Sequence, residues 1–389
     1  MEAAMVVAKL AELPGGQAVI DAVGGDESVW LVGGAVRDLM IGRTPTEIDL
    51  VVEGPLDPLL ARLGGEAERF ERFGTATVNL EGVRVDLACA RTESYAQPGA
   101  LPDVAAASID EDLGRRDFTI NAIAVRISDP VVKADPAALA DLQSGTIRVL
   151  HESSFLDDPT RLWRCARYSA RLGFSVDPQT AALAAAATPG AVSGERIGNE
   201  LILSLLEPQP TAVFRAVEGL NPGALPEGFC VAPPQLEEAL ELLGDEGRGD
   251  LLTLAACCKG VELDLLTRWL DYLGFSAHDR ELVLVASRWV TGAPLRSAKS
   301  RAEIAAAARS APLEAVALAG GDNAALWLDE LRYVQLEISG DDLLTAGAEP
   351  GPAIGDALEH ALALTLNGEV AGREQQLGVA LAHAREAAQ

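Results

Sequence analysis

The sequence predicts an α+β fold, with a small β-sheet and its helices at the N-terminus and an all-α chain after it. Three features predict this. Short apolar runs of strand length, bounded by glycine, proline or charged turns, are confined to residues before 150. One of them runs through Gly33-Gly34 into a helix-like segment and then into a second strand. From residue 155 the composition turns to alanine, leucine and arginine, with apolar residues at three- and four-residue spacing, the period of a helix. A chain of 389 residues, 49% hydrophobic, has room for two or more domains with cores of their own.

In order, residues 1–25 read as one or two short helices separated by Pro14-Gly15-Gly16. Val29 to Val32 is a buried strand. Gly33-Gly34 lets the backbone turn and come close to something, and Ala35 to Ile41 suits a short helix that Gly42 stops. After Pro45, Glu47-Ile48-Asp49 opens the strand that continues as Leu50-Val51-Val52. Strand side chains alternate, so Glu47 and Asp49 share a face and Ile48 packs behind. Two carboxylates on one strand, beside a Gly-Gly turn with Arg37 nearby, are what a divalent metal and a triphosphate need.

Leu56–Leu63 is a plausible helix. Ala67–Phe73, Thr75–Leu80 and Val83–Ala90 follow as strands, the last two joined by a hairpin at Glu81-Gly82. Asp86 faces away from Val85 and Leu87 and can join Glu47 and Asp49 across the sheet. Three carboxylates converging there would hold two Mg²⁺ ions for an in-line transfer. Pro98–Ser108 is small, apolar and loop-like, a candidate flap beside the site. The stretch Asp110–Ala124, which contains Arg115-Arg116-Asp117-Phe118-Thr119-Ile120-Asn121-Ala122, reads on its own as a capped amphipathic helix with solvated ends. A strand at Thr146–Leu150 closes the head.

Beyond it, Asp157 or Asp158 can cap a helix with Pro159 in its first turn. Arg161, Arg164, Arg167 and Arg171 fall on one stripe of that helix. By charge pattern alone the stripe is a solvated basic face.

Four motifs in order, across roughly residues 28–200, resemble the polymerase-β-like nucleotidyltransferases, in the branch of bacterial CCA-adding tRNA nucleotidyltransferases and poly(A) polymerases. They are Gly33-Gly34-Ala35-Val36-Arg37-Asp38 with the acid pair Glu47 and Asp49, Asp86 before Arg91-Thr92-Glu93-Ser94-Tyr95, the Arg115–Ala122 run, and Asp157-Asp158-Pro159-Thr160-Arg161 with Ser193-Gly194-Glu195-Arg196-Ile197 after it. The chain departs from the family at Glu47, where an aspartate is usual, and at Asp157, where a glutamate is usual.

The resemblance implies a polymerase-β-like head over 1–150 built on a small mixed β-sheet with helices, then an all-α neck that recognises the base over 151–207, a helical body over 208–300 and a tRNA-binding tail over 301–389. It implies template-independent addition of C and A nucleotides to the tRNA 3′ end from CTP and ATP. Glu47, Asp49 and Asp86 would bind Mg²⁺. Gly33, Gly34, Arg37, Arg115 and Arg116 would position the triphosphate, with Asp117 and Asn121 near the sugar. Asp158 and Arg161 would read the base edge, on the helix that also carries Arg164 and Arg167. The tRNA acceptor arm would lie across the molecule. Rival readings share the motifs: a partial adder, a poly(A) polymerase or a non-catalytic RNA-binding descendant. A small-molecule nucleotidyltransferase suits the long helical half less well.

The body segment Leu254-Ala255-Ala256-Cys257-Cys258-Lys259-Gly260 lacks the His-Asp pair of a metal phosphohydrolase, so a structural helix and no such activity are expected there. Near the end, Ile338–Leu343 and Gly347–Gly355 resemble the tail of the bacterial relatives and read best as a capped turn.

A net charge of −27 is unusual for a nucleic-acid protein, because phosphate neutralisation dominates such binding. Lysine occurs only at Lys9, Lys133, Lys259 and Lys299, so nearly all the positive charge is arginine, which suits bidentate phosphate and base contacts. Five cysteines without zinc spacing point to reduced, packed thiols. No apolar run reaches the length of a membrane span, and the N-terminus has no signal-peptide pattern. The sequence therefore reads as cytoplasmic with no membrane partner, and nothing in it specifies an oligomeric state.

Overall fold

The computed structural model describes residues 2–70, 74–94, 103–188, 192–289 and 294–387. The chain forms two compact units, Met1–Leu225 and Pro226–Gln389. The first holds the sheet. It opens with helices α1 (Ala3–Ala11) and α2 (Gly16–Val23), then strand β1 (Val29–Val32), α3 (Gly33–Met40), β2 (Glu47–Val52) and α4 (Asp57–Leu63). Next come β3 (Ala67–Phe70), β4 (Thr75–Leu80), β5 (Val83–Cys89), β6 (Arg91–Ser94) and β7 (Asp103–Ala106). Helix α5 (Ile109–Gly114), a 3₁₀ turn at Thr119–Asn121, β8 (Ile123–Arg126), β9 (Val132–Ala134), α6 (Ala138–Ser144) and β10 (Thr146–Ile147) complete the head.

Seven strands make one sheet in the order β3-β4-β5-β2-β1-β8-β9. Only β2 and β5 pair in parallel within it; the other neighbours are antiparallel. All four residues of the interior strand β1 are buried, as expected of a strand covered on both faces. On one face Trp30, Val32, Val51, Ala122 and Ala124 pack against Ile109 and Leu113 of α5. Alternation along β2 puts Val51 on the same face as Asp49 and Glu47. The face is thus apolar where α5 covers it and acidic further along. On the opposite face Ile48, Leu50, Val85 and Leu87 are buried. The β4–β5 hairpin turns through Glu81 and Gly82, both with positive φ (52° and 84°), the geometry of a two-residue type I′ turn.

Several elements differ from expectation. Helix α3 begins at Gly33 rather than Ala35. Strand β3 is described only to Phe70, and Glu71 to Phe73 lie outside the described residues. The expected flap at Pro98–Ser108 is in part a strand: β7 pairs antiparallel with β6, Arg91 opposite Ala106 and Glu93 opposite Val104. Tyr95 and residues 96–102 lie outside the described residues. The segment 110–124 is not one helix. Ser108 and Glu111 form a capping box that starts α5, and the chain leaves it after Gly114 for the 3₁₀ turn and β8. The last strand of the head is two residues long and pairs with β11 (Ser175–Val176).

The helical part of the first unit is α7 (Ser154–Asp157), α8 (Arg161–Leu172), α9 (Pro178–Ala186), α10 (Gly194–Leu205) and α11 (Pro210–Leu220). Helix α11 packs on α8, so this unit runs beyond residue 207. Neither Asp157 nor Asp158 is the N-cap of α8; that position is Thr160, and Asp158, two residues earlier, accepts from the Thr160 backbone N–H and hydroxyl.

The second unit contains α12 (Leu236–Leu243), α13 (Gly249–Cys257), α14 (Leu263–Tyr272), α15 (Ala277–Trp289), α16 (Pro294–Ser297), α17 (Arg301–Ala308), α18 (Leu313–Ala319), α19 (Gly321–Asp329), α20 (Gly340–Thr345), α21 (Ala353–Leu366) and α22 (Gly372–Ala387). Residues Leu251 to Cys258 on and after α13 are all buried. The start of α20 carries a capping box of Ser339 and Asp342, and Asp342 also pairs with Arg373. All five cysteines are free thiols. Among the described residues, no single helix is long and apolar enough to cross a membrane.

Candidate active site

The parallel pairing of β2 and β5 places Asp49 opposite Asp86 and Glu47 opposite Arg84. One carboxylate oxygen from each of Glu47, Asp49 and Asp86 lies within 4.8 Å of the others. Asp86 accepts from Thr77 Oγ1 at 2.5 Å, and from Arg84 Nε at 2.9 Å on one oxygen and 2.8 Å on the other. Burial pushes Asp49 up to about 7, with Glu47 and Asp86 adding repulsion against Arg116 and the Ala35 amide. An all-oxygen donor set suits a hard cation such as Mg²⁺. Burial first, and the neighbouring carboxylates second, favour the protonated form of Asp49, and a bound cation would offset both. The three residues therefore fit a divalent metal.

Gly33 opens α3 with φ +61°, and a Cβ there would lie 2.7 Å from Arg116 Nη1. Gly34 has no such φ, and the nearest atom to a Cβ would be Asp49 Oδ2 at 3.5 Å, an ordinary contact. Gly33→Ala is expected to cost about 1–2 kcal/mol through its left-handed backbone, and to displace Arg116. Gly34→Ala should stay within about 0.5 kcal/mol of wild type. Urea unfolding of the two variants checks this.

Arg115 and Arg116 are held from below by Asp112, which is fully buried. Arg115 donates to Asp112 at 2.7 Å and to Glu93 at 2.8 Å, and Arg116 donates to Asp112 at 2.9 Å. Burial alone would raise Asp112, but Arg116 and Arg115 keep it below the ordinary carboxylate range. Asp117 accepts from Asn121 Nδ2 at 2.9 Å and from Arg164 Nε at 2.8 Å. Burial opposes its charge as well, yet Arg164, the Asn121 bond and Arg161 hold Asp117 down at about 2. Asn121 Oδ1 in turn accepts from Arg37 Nη1 at 2.6 Å. Arg37 is 2% exposed and also bonds Asp38 at 2.8 Å. Its guanidinium, together with the sequence-predicted sugar contacts Asp117 and Asn121, is thus tied into one network between α3, the 3₁₀ turn and α8.

The arginine stripe of α8 is not a solvated face. Arg161 and Arg167 are both 6% exposed. Arg161 donates to Ser154 Oγ at 2.7 Å and to the Arg115 carbonyl at 2.9 Å. Arg167 pairs with Glu200 at 2.9 Å, and Arg171 donates to Glu207 at 3.0 Å. Asp158 accepts from Arg196 at 2.8 Å, so α10 grips the start of α8. Arg37, Arg164, Arg167 and Arg171 all lie over the ring of Tyr168, 5.1–5.9 Å from its centroid.

One cavity of about 880 Å³ gathers these groups. Every residue expected at the metal, triphosphate, sugar or base position lines it, from Gly33 and Glu47 to Asp158 and Arg167. Sequence reasoning missed Tyr168, Arg84, Thr77 and Asp112. Asp112 has a readable signal, because Arg115 and Arg116 follow at i+3 and i+4. Arg84 has one too, two residues from Asp86 on the same face. Thr77 and Tyr168 do not, since strand register and helix packing bring them in.

A family model described as the poly A polymerase head domain matches residues 29–148. The chain is 31% identical over 400 residues to an A-adding tRNA nucleotidyltransferase of Geobacter sulfurreducens, covering 92% of this chain and 46% of that protein. It is 31% identical over 362 residues to a CC-adding tRNA nucleotidyltransferase of Deinococcus radiodurans, covering 91% of this chain and 88% of that one. It thus spans about half the length of the Geobacter relative and most of the Deinococcus relative. A solved CCA-adding enzyme in its apo form superposes with a TM-score of 0.79 at 27% identity, covering 97% of this chain and 98% of the other. With a matching head model, a full-length relative at this identity and the same fold throughout, the chain belongs to the tRNA nucleotidyltransferase and poly(A) polymerase family.

Proposed function

We propose that this protein adds nucleotides to the 3′ end of tRNA without a template, using CTP, ATP or both and releasing pyrophosphate. The convergence of Glu47, Asp49 and Asp86 at a cavity that Arg37, Arg115, Arg116, Arg161, Arg164 and Arg167 also line carries this reading. Acid on one wall suits cations, and arginine on the other suits a triphosphate. Glu47, Asp49 and Asp86 would hold a pair of Mg²⁺ ions, which when bound supply activation of the 3′-hydroxyl and charge stabilisation of the leaving pyrophosphate.

The chain's own residues do the rest. Arg116, given room by Gly33, and Arg115 face the triphosphate from a base fixed by Asp112. Asp158 and Arg161 read the base: a carboxylate accepts from the exocyclic amine of C or A, and a guanidinium donates to the ring edge. Uracil and guanine present mismatched groups there, and an unpaired buried polar group is costly. Both side chains are already anchored, Asp158 by Arg196 and Arg161 by Ser154, so little ordering is left for binding.

The test is incubation with tRNA ending before CCA and each NTP singly and together. Incorporation of C or A and none of U or G is expected; no incorporation with Mg²⁺ or Mn²⁺ overturns the reading. A narrower range deserves equal weight, because relatives of matching identity carry the names A-adding and CC-adding. The same assay on tRNA ending in CC and on tRNA ending before it separates these.

Glu47 stands where the family's usual residue is aspartate. Glu47→Ala is expected to lower incorporation at least about 100-fold, equivalent to about 3 kcal/mol of lost stabilisation. Glu47→Asp should keep or raise activity. Wild-type rates in Glu47→Ala would remove this residue from the site.

A further inference from the structure

Arg84 lies in the acidic cluster, and no step above uses it. It sits two residues before Asp86 on β5, on the same face, and its register partner on β2 is Glu47. Its Nε bonds both Asp86 oxygens at 2.9 and 2.8 Å, so it sits between them. Thr77 Oγ1 takes Oδ1 as well. An ionised carboxylate oxygen accepts at about two sites, so Oδ1 is filled and Oδ2 keeps one site open. The Asp86 side chain is 27% exposed and that of Arg84 is 61% exposed. The guanidinium is therefore free to swing into water without disturbing the core. Glu47 and Asp86 both favour its charge, which stays positive throughout.

We propose that Arg84 is a built-in counter-cation of the carboxylate cluster, occupying Asp86 before a divalent ion does and leaving it when the ion binds. Divalent loading is then an exchange, in which a +1 side chain departs as a +2 ion arrives. This limits the repulsion among three carboxylates before loading, and it sets the affinity for the ion lower than the bare cluster would have. The inference rests on the metal reading of Glu47, Asp49 and Asp86.

The opposite role is a positioning one, in which Arg84 and Thr77 hold Asp86 in place for the ion. The two roles differ in sign. Exchange predicts that Arg84→Ala tightens divalent binding; positioning predicts that it weakens it. An exposed ion pair is a weak competitor, so the expected gain is about fivefold or less.

The experiment measures binding of Mn²⁺ alone, from the electron-spin resonance of the free ion, on the whole chain in the absence of nucleotide and tRNA. Wild type, Arg84→Ala and Asp49→Asn are compared at low salt and at 0.5 M KCl. Asp49→Asn should lose the site. Arg84→Ala should bind Mn²⁺ several-fold more tightly at both salt concentrations, because a contact exchange survives screening that removes longer-range charge effects. Unchanged or weaker binding in Arg84→Ala, with Asp49→Asn still abolishing it, overturns the exchange and leaves the metal site standing. A gain confined to low salt overturns it also, as a general charge effect. Binding that Asp49→Asn does not alter overturns the metal reading itself, and the exchange with it.

Discussion

Asp49→Asn is expected to lower nucleotide incorporation by a factor on the order of 10³ or more, while making the metal-free protein more stable at pH 8. On the proposed metal reading, the activity loss follows from removing one carboxylate of the three-residue cluster, where metal-bound charge stabilisation is worth several kcal/mol and about 4 kcal/mol corresponds to 10³ in rate. The stability gain has a separate cause. Asp49 keeps its proton up to about 7 in the fold, against an ordinary 3.8. Between those values the unfolded chain has given up the proton and the folded one has not. The fold then binds more protons, and stability falls as pH rises through that window.

Asparagine removes the charge and with it the loss. The metal-free variant should melt above wild type at pH 8, with the gap closing toward pH 4. Divalent ions should raise the wild-type melting temperature more at pH 8 than at pH 6, and leave Asp49→Asn unmoved. Thermal melts with and without Mg²⁺ at three pH values, beside the incorporation assay, read all of this. A variant that loses activity and also melts lower at pH 8 would show that Asp49 serves the fold rather than an ion.

Asp117→Ala is expected to destabilise the first unit by about 3 kcal/mol, the lower end of the range for breaking a buried ion pair. Asp117 is buried, and its carboxylate is shared by Arg164, Asn121 and the Phe118 amide. Alanine leaves the Arg164 guanidinium without that partner and releases Asn121 from one side. Because Asn121 also accepts from Arg37, the effect should spread to the start of the Gly-Gly helix. Asp117→Asn keeps the shape and loses the charge, so it should cost less.

The pH dependence has the opposite sign to that of Asp49. The folded value of about 2 lies below the ordinary 3.8. The Asp117 contribution is therefore complete above about pH 4 and is lost as pH falls toward 2. Urea unfolding at pH 7 and near pH 3 should show the gap between wild type and Asp117→Asn narrowing at the lower pH. An equal gap at both would mean that the charge contributes nothing.

The two cases show which parts of the site were legible in the chain. The strand Glu47–Val52 and the hairpin Thr75–Cys89 follow from alternation and from Glu81-Gly82, because strand periodicity and turn chemistry are local. The pairing of Asp49 with Asp86 does not follow from them. It requires β2 and β5 to run parallel in one register, and a slip of one residue would turn Asp86 to the other face. The family motifs supplied that pairing in advance. Charge pattern on its own pointed the wrong way on α8, where a stripe of arginines at helical spacing reads as solvated. In the structure Glu200 and Glu207 on and after α10 pair with it, and the Asp117 run packs against it.

By itself the sequence determined the α+β head, the helical remainder, the short strands that carry the acids and, through the motifs, the metal, triphosphate, sugar and base candidates that line the cavity, but not Thr77, Arg84 or Tyr168 beside them. Each of these depends on periodicity, turn chemistry or a motif within a few tens of residues. Only the tertiary structure decided which charges are paired. It tied Asp117 and Asn121 to arginine, seated Arg84 on Asp86, folded 103–106 into a strand and buried Asp49 beside Glu47 deeply enough to raise its pKa to about 7. Those outcomes depend on distances of a few ångströms, in most cases between residues tens of positions apart. Coulomb energies and hydrogen bonds change steeply over such distances, and sequence spacing carries no measure of them.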